Sequence, residues 1–237
     1  MSVATVLDVK TGYDLWANQY DHDANLLVDL DEAYLNPTRC RFMAAMVANS
    51  VTNTQRTLSA LDVGCGTGRH IALLERYFEN VTGVDLSPEM LSRAMTKSQK
   101  LSTEFVCGDF RESLFKTRFD FIHSSLALMH FDSPANFIAT ASSLLKPGGL
   151  LFLADADPDR LRKGTTPNFR HLASDQIVKY QIPHLAETLS AVDRAQLEIL
   201  EFGRVPVPNH FALVHLKYAK YLDQEGLFYL VARKAVS

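Results

Sequence analysis

The stretch Leu61-Asp-Val-Gly-Cys-Gly-Thr-Gly-Arg-His70 joins a short apolar run to three glycines at alternate positions. The apolar run predicts a buried strand, and glycines that follow a strand let the backbone approach a ligand closely. A dinucleotide fingerprint requires its third glycine five residues after the first, where this sequence has Arg69. A nucleotide triphosphate loop requires Gly-Lys followed by Ser or Thr, which the stretch lacks. The turn therefore predicts a binding site of neither kind.

Strand-like and helical segments alternate around this turn. We predict strands at residues 57–63, 81–84, 105–107, 119–124 and 150–154, with helices between them at 69–78, from Pro88 onward and 134–145. This alternation predicts an α/β fold with a parallel sheet, covered by helices on both faces and binding ligands at the carboxyl ends of its strands. Outside it we predict two helices over 12–50, a lid insertion over 157–183, a helix over 184–192 and closing strands at 197–205 and 227–233.

Two acidic residues follow predicted strands and should share one rim of the sheet. Asp85 ends the second strand about twenty residues beyond Gly64, where a carboxylate accepts hydrogen bonds from the ribose hydroxyls of an adenosine. Asp109, in Cys107-Gly-Asp-Phe110, has the right chemistry to accept from an adenine amino group, although alone it also fits an ordinary turn residue. These residues favour an adenosine-bearing ligand.

Composition limits the partners. The chain has 237 residues, a formal net charge of −3 and three scattered cysteines without a Cys-x-x-Cys pair. This length suits one domain with an added lid, and the charge and the short apolar runs indicate neither a nucleic-acid nor a membrane partner. The sparse cysteines and the lack of a signal-like start predict a reducing, cytoplasmic location with no disulfide framework and no metal site. Oligomeric state is not indicated.

Five motifs occur in order along the chain: LDVGCGTGRH, VTGVDLSPEML, CGDF, FDFIHSSLALMHF and LLKPGGLLFLADAD. Over about residues 12–155 they resemble the class I S-adenosylmethionine-dependent methyltransferases. The opening Tyr13-Asp-Leu-Trp-Ala-Asn-Gln-Tyr-Asp21 resembles the YDxWAxxYD start of their small-molecule branch. The resemblance implies a doubly wound, mainly parallel, seven-stranded Rossmann-like sheet whose last strand is antiparallel. It further implies one methyltransferase domain over 1–237, with an N-terminal helical cap (1–50), a cofactor-binding core (57–155), a lid and helix (156–195) and closing strands (196–237).

The resemblance also implies S-adenosylmethionine as cofactor and assigns roles by motif position. The glycines would line its methionine part, Asp85 would hold the ribose, and the CGDF motif would frame the adenine. Aromatic residues of the N-terminal helix would cap the site, beside the positive sulfur. The expected cofactor-binding residues are Tyr13, Trp16, Tyr20, Gly64, Cys65, Gly66, Gly68, Asp85, Leu86, Met90, Gly108, Asp109, Phe110, Ser125 and Leu126.

Three residues are candidates for the chemistry at the methyl acceptor. His130 follows the fourth strand, where a neutral imidazole is able to take a proton, and His184 ends the lid. Tyr13 stands on the aromatic helix face. Each also has a plainer interpretation as a structural residue. We expect packing roles for His70 and His123, and a solvated face rather than an anionic substrate for Arg39 and Arg41.

Methyl transfer to an O or N atom of a small-molecule acceptor is the expected function. A nucleic-acid methyltransferase is the first alternative, although Ser124-Ser-Leu-Ala-Leu-Met129 replaces the Asn/Asp-Pro-Pro-Tyr/Phe run of enzymes that act on base amines. A non-catalytic S-adenosylmethionine-binding subunit is the second alternative. An arginine in an apolar pocket would indicate acid esterification, whereas His130 facing the methyl would indicate an amine or phenol acceptor. A carboxylate acceptor, with a pKa near ~4, needs no base at pH 7.

Overall fold

The computed structural model describes residues 4–53, 57–112, 114–172 and 174–236, and the backbone alone for 51–53. Its strands are β1 (Thr5–Leu7), β2 (Ser59–Val63), β3 (Asn80–Asp85), β4 (Glu104–Cys107), β5 (Phe119–Ser125), β6 (Leu145–Ala156), β7 (Asn168–His171), β8 (Ser174–Val178), β9 (Leu197–Pro206) and β10 (Glu225–Lys234). Its α-helices are α1 (Val9–Trp16), α2 (Leu26–Leu30), α3 (Asn36–Asn53), α4 (Ile71–Leu74), α5 (Pro88–Lys97), α6 (Pro134–Leu144), α7 (Pro158–Arg162), α8 (Leu185–Arg194) and α9 (Phe211–Val214).

Seven strands form the main sheet in the order β4-β3-β2-β5-β6-β10-β9. Neighbours from β4 to β6 pair in parallel, whereas β10 pairs antiparallel with both β6 and β9. Every residue of β5 is buried, as expected of a parallel strand with both faces covered. The predicted doubly wound sheet with an antiparallel last strand is confirmed.

Apolar side chains of the sheet pack into two main clusters. Ala60 and Leu61, consecutive residues of β2, belong to different clusters because successive side chains of a strand point to opposite faces. Helix α3 supplies Met43 to the first cluster, and α6 supplies Phe137 to the second. The carboxyl ends of β2 to β6 are thereby held on a rigid, doubly covered scaffold.

Local sequence explains where one crossover helix begins, and tertiary contacts explain where another ends. Ser87 caps α5 by accepting a hydrogen bond from the backbone N–H of Met90, and Pro88 is the first helical residue, as predicted. The predicted helix over 69–78 is wrong beyond Leu74, where the chain continues in tighter turns. Glu75 is buried there and accepts hydrogen bonds from the hydroxyls of Ser98 and Thr103, which ties this turn to the segment after α5.

The segments outside the main sheet are more structured than predicted. The two helices expected over 12–50 are α1, α2 and α3, with a π-helical turn at Asp31–Leu35 between the last two. Within the lid, β7 and β8 pair antiparallel, and β8 pairs in parallel with β1 to complete a three-stranded sheet. In the part of the chain that the structure describes, no helix has the length and apolar character that crossing a bilayer requires.

Candidate functional site

A cleft opens where β2, β3, β4 and β5 end, as expected for a sheet of this topology. It encloses about 720 Å³, part of which is open to solvent. Thirteen of the residues predicted from sequence line it: Tyr13, Tyr20, Gly64, Gly66, Asp85, Leu86, Met90, Gly108, Asp109, Phe110, Ser125, Leu126 and His130.

The three glycines of the turn have different surroundings. All three have positive φ, a conformation that glycine adopts without steric cost. A Cβ on Gly68 would lie 2.8 Å from Cα of Ala94 in α5, and one on Gly64 would lie 2.6 Å from Cβ of Ala127. A Cβ on Gly66 would meet nothing within 4 Å. Gly66 therefore leaves space on the cleft side of the turn, while Gly68 is required for close packing on α5.

Asp85 lines the cleft, and each of its carboxylate oxygens accepts a hydrogen bond from one backbone donor. Oδ2 accepts from the N–H of Gly66 at 2.8 Å, and Oδ1 accepts from the N–H of Ser87 at 2.9 Å. Burial raises its pKa to about 6, and the two backbone donors oppose that rise. Each oxygen keeps a lone pair, so the carboxylate is able to accept two further hydrogen bonds from one ligand.

The CGDF motif, residues 107–110, forms another part of the cleft wall. Oδ2 of Asp109 accepts a hydrogen bond from Nη2 of Arg111 at 2.6 Å. The hydrogen bonds from Arg111 lower the pKa of Asp109. The Arg111 guanidinium lies 5.3 Å from the ring centre of Phe131, which also lines the cleft. Phe110 is buried and packs against Phe137. Sequence reasoning missed Arg111 and Phe131, although both stand beside predicted site residues.

The end of β5 carries backbone strain at the cleft. Leu126 has φ 59°, an uncommon conformation for a residue with a Cβ, and its N–H donates to the carbonyl of Ala154 at 2.9 Å. Ser125 donates from Oγ to Asp31 at 2.9 Å. The sharp turn at Leu126 places its side chain between the cleft and a second cavity, since it lines both.

Tyr13 and His130 meet at the same boundary. Their Oη and Nε2 atoms are 2.8 Å apart, and Nδ1 of His130 lies 2.8 Å from the carbonyl oxygen of Lys179. A carbonyl only accepts, so Nδ1 carries the hydrogen and Nε2 accepts from the Tyr13 hydroxyl. Burial lowers the pKa of His130 to about 4, and burial raises the pKa of Tyr13 well above its ordinary value. The pair is neutral at pH 7, and His130 is a weak proton acceptor.

The second cavity, here the lid cavity, lies beside the cleft and shares Tyr13, Tyr20 and Leu126 with it. It encloses about 1280 Å³, including space open to solvent. Trp16 lines this cavity rather than the cleft, and its ring stacks on Phe169 of β7 at 4.9 Å. The lid and the N-terminal helix therefore meet through aromatic contact at the cavity wall.

Asp31 joins the N-terminal segment to the glycine turn. Burial alone would raise its pKa, but the guanidinium groups of Arg39 and Arg69 hold that pKa well below the ordinary value. Their Nη atoms lie 2.5 and 2.6 Å from its two oxygens, and Nε2 of His70 lies at 3.1 Å. The expectation of a solvated Arg39 is wrong, because its side chain is buried and needs Asp31 as its counter-ion. Arg41 is exposed and pairs with Glu201.

His123 extends this buried network, as the predicted packing role requires. It accepts from Nε of Arg39 at Nε2, and its Nδ1 lies 2.7 Å from Oδ1 of Asp62. Ligand-type atoms of Asp62, His70 and His123 lie within 4.8 Å of one another. The adjacent Arg39 cation and the two hydrogen bonds of His123 make this cluster a hydrogen-bonded core rather than a preformed cation site.

Asp155, which the sequence analysis did not single out, holds the segment that carries His130. It is fully buried at the end of β6 and accepts from the N–H of Met129 at 3.0 Å. Burial raises its pKa to about 7, with backbone donors opposing. The available signal was its position directly after the predicted strand at 150–154, because Asp85 was identified from its place at a predicted strand end.

Three further predicted residues lie outside the cleft. Cys65 is buried behind the turn, where burial raises the pKa of its thiol well above the ordinary value, and Gly68 packs on α5. His184 is exposed ahead of α8, with Nδ1 3.3 Å from Nη2 of Arg162. It lines a separate shallow depression with Pro158 and Arg204. The structure does not bring His184 to the cleft or to the lid cavity.

The central part of the chain is similar to a known protein family. Residues 61–153 match the family described as "Methyltransferase domain". This match runs from within β2 to within β6 and includes most of the predicted cofactor-binding residues. This central part of the chain is therefore similar to a methyltransferase domain, in agreement with the resemblance predicted from its motifs. The resemblance of the opening motif to the small-molecule branch stays a prediction.

Particular relatives agree with this class. The chain is 33% identical over 124 residues to the ubiquinone biosynthesis O-methyltransferase of Coxiella burnetii, covering 51% of this chain and 50% of that protein. The chain thus spans about half the length of the curated relatives it matches first. An S-adenosylmethionine-dependent methyltransferase structure from Mesorhizobium loti has a TM-score of 0.62 and 20% identity over 75% of this chain and 91% of that chain. The [4+2]-cyclase SpnF has a TM-score of 0.65 and 19% identity over 100% of both. These two structures share the fold.

Proposed function

We propose that this chain transfers a methyl group from S-adenosylmethionine to an oxygen or nitrogen atom of a small-molecule acceptor. The observation that carries the proposal is the pairing of Gly66 with Asp85 in the cleft. Gly66 offers open space at the glycine turn, and Asp85 keeps a lone pair on each oxygen for a ribose. The residues present thus fit an adenosine-bearing cofactor without a pyrophosphate. The similarity of residues 61–153 to a methyltransferase domain supports the same cofactor.

The roles of the individual residues follow from their places. Gly64, Gly66 and the end of β5 would hold the methionine part, and Asp85 would hold the ribose. Phe110 and Asp109 would border the adenine. The bound cofactor supplies an electrophilic methyl on a positive sulfur, and the protein must exclude water and align the acceptor. Tyr13 would contact the acceptor, since it lines both the cleft and the lid cavity.

His130 is proposed as a positioning residue rather than a base. Its Nε2 holds the Tyr13 hydroxyl, and its depressed pKa makes it a poor destination for a proton from an acceptor. This arrangement favours an acceptor that arrives already ionised. The acceptor is proposed to be a small molecule that enters through the lid cavity, with a cytoplasmic site of action and no nucleic-acid substrate. The division into cap, core, lid and closing strands is retained as part of this proposal.

Binding and transfer assays test this function separately. Isothermal titration with S-adenosylmethionine and with NADH should show binding of the first and none of the second. Purified protein incubated with methyl-labelled S-adenosylmethionine and a small-molecule extract should yield labelled low-mass product. Binding without transfer to any acceptor would instead support the non-catalytic alternative, a distinction that matters because a cyclase shares the fold. Absence of binding would overturn the proposal.

A further inference from the structure

Arg160 of α7 has a buried side chain and forms no ion pair with any residue that the structure describes. It is 2% exposed and lines the lid cavity. Its Nε and Nη1 atoms are buried without a hydrogen-bond partner among the described residues. Its guanidinium lies 4.1 Å from the ring centre of Tyr221, a contact that orients the group without neutralising it. A buried guanidinium whose donors are unsatisfied is costly, and an anionic ligand relieves that cost.

The two carboxylates beside Arg160 in the sequence, Asp157 and Asp159, pair with other arginines. Asp157, the cap of α7, accepts from Nε and Nη2 of Arg204 at 2.6 and 2.5 Å. Asp159 accepts from Arg204 and from Arg162 at 2.7 and 2.8 Å. Arg39, the other fully buried arginine described, has Asp31 as its counter-ion. Arg39, Arg162 and Arg204 thus each pair with a carboxylate, whereas Arg160 has no carboxylate partner among the described residues.

The rest of the lid cavity combines an apolar wall with polar and cationic groups, which suits an organic anion. Its apolar wall includes Leu27, Leu126, Met129 and Phe169, and its other charged lining groups are Arg170, Lys217, Lys220 and a single carboxylate, Asp23. Asp23 is occupied by the indole N–H of Trp16 at 2.7 Å. The cavity is therefore positive, which attracts anions and raises their local concentration. A guanidinium binds the two oxygens of a carboxylate through its Nε/Nη2 pair or its Nη1/Nη2 pair of donors, and each of these pairs includes one unpartnered donor of Arg160.

We propose that the methyl acceptor is a small organic carboxylic acid, bound through its carboxylate by Arg160 and methylated on a carboxylate oxygen to give a methyl ester. This inference rests on the proposed function. The acceptor oxygen forms a bond to the methyl carbon as the carbon–sulfur bond breaks, and the electron pair of that bond remains on sulfur. The acceptor's negative charge and the sulfonium's positive charge both disappear, so no proton moves.

Two features of the site agree with this acceptor. A carboxylate with a pKa near ~4 is ionised at pH 7 and needs no base, and His130 is too weakly basic to serve phenols or amines well. The ester product is neutral, so Arg160 loses its partner and release of the product is favoured. The lid cavity, which Arg160 lines, adjoins the cleft and shares Tyr13 with it.

Paired probes test the anion site. Protein saturated with S-adenosylhomocysteine is titrated calorimetrically with benzoate, phenylacetate and octanoate, and with the corresponding amides. We expect at least one acid to bind about ten- to a hundredfold more tightly than its amide, as a charge-assisted hydrogen bond predicts. Arg160→Met should abolish that preference. Arg162→Met, which removes an exposed arginine on the same helix, should retain it.

Transfer to the same acids tests the acceptor atom. With methyl-labelled S-adenosylmethionine, the bound acid should gain label that mild base releases as methanol. Equal binding of acids and amides to the unmodified protein, a preference that survives in Arg160→Met, or acid-dependent label that base does not release would each overturn this inference. Failure of S-adenosylhomocysteine to bind would overturn the proposed function, whereas binding of it without acid preference overturns only the inference about the acceptor.

Discussion

Tyr13 and His130, 117 residues apart in the chain, are joined by a 2.8 Å hydrogen bond in which the tyrosine hydroxyl donates to Nε2. The carbonyl of Lys179 fixes the histidine from its other side at 2.8 Å. The contact therefore ties the N-terminal helix to the segment after β5 and to the lid. It fixes the hydroxyl at the boundary between cleft and lid cavity.

Removing this hydroxyl should affect turnover modestly. In Tyr13→Phe we expect kcat/KM to fall about tenfold, the effect of losing the one hydrogen bond that fixes the ring at the boundary of the two cavities, with cofactor affinity within about twofold. With saturating cofactor, kcat of the unmodified protein should stay flat between pH 6 and 8, because His130 is neutral throughout that range. Steady-state kinetics across pH measure both quantities.

Tyr34→Phe is the matched control for Tyr13→Phe. Tyr34 also faces a histidine nitrogen, that of His210 at 3.5 Å, but on the surface and away from the cleft. Its removal should leave kcat/KM unchanged. A loss of about a thousandfold in Tyr13→Phe, together with a kcat that rises tenfold per pH unit, would show that the pair acts as a base and contradict the positioning role.

Substitutions of Gly66 and Gly68 should have different effects, one mainly on cofactor affinity and the other mainly on stability. Gly68→Ala places a methyl group 2.8 Å from backbone of α5 at φ 80°, and we expect it to lower the free energy of unfolding by about 3 kcal/mol. Gly66→Ala should lower the free energy of unfolding by only about 1 kcal/mol. It should weaken binding of S-adenosylmethionine at least tenfold, because its methyl group enters open cleft space. Urea denaturation and calorimetry measure these two effects. Unchanged cofactor affinity in Gly66→Ala would contradict the assignment of the turn.

Substituting two nearby arginines of α3 should lower the free energy of unfolding by very different amounts. Arg39→Ala leaves Asp31 with one guanidinium fewer in a buried site, so we expect a loss of about 3 kcal/mol in the free energy of unfolding. Arg41→Ala removes a solvent-exposed pair with Glu201 and should cost less than about 1 kcal/mol. Equal losses in urea denaturation would show that the Asp31 network does not hold the N-terminal segment to the core.

Asp155 should make stability depend on pH. Its pKa is raised from 3.8 to about 7, so between these values the folded state binds more protons than the unfolded state, and stability falls as pH rises. The difference amounts to at most about 4 kcal/mol. Asp155→Asn keeps an acceptor for the N–H of Met129 and should remove most of this pH dependence. Compared with the unmodified protein, the variant should therefore be relatively more stable at pH 8 than at pH 5. Parallel pH profiles of the two proteins would contradict the raised pKa.

Local sequence predicted the parts of the fold that depend on local patterns. The glycine turn, the cap at Ser87 and the alternation of strands located the main sheet, because each depends on residues close in sequence. The β1-β8-β7 sheet was not predicted, because it pairs Thr5–Leu7 with residues 176–178 and short strands carry little periodicity. Arg39 was placed at the surface because an arginine on a helix gives no sign of a buried partner.

The site divides along the same line. Residues of the glycine turn and the strand ends could be predicted, since a motif and a rim of the sheet locate them together. Arg160 and its cavity could not, because their surroundings depend on which carboxylates Arg204 and Arg162 engage. The acceptor side of the site is formed by such long-range contacts. Each part of the cofactor side, in contrast, belongs to a short motif of contiguous residues.

Binding of S-adenosylmethionine to Asp85→Asn tests the central claim most directly. Asp85 has a pKa of about 6, so it is ionised above that pH, and affinity for the cofactor should weaken as pH falls below it. Asp85→Asn removes the charge that holds the ribose, and calorimetry at pH 7.5 should show about a hundredfold weaker binding that no longer depends on pH. The exposed Asp193→Asn serves as the control and should bind normally. Affinity in Asp85→Asn equal to that of the unmodified protein would contradict the account.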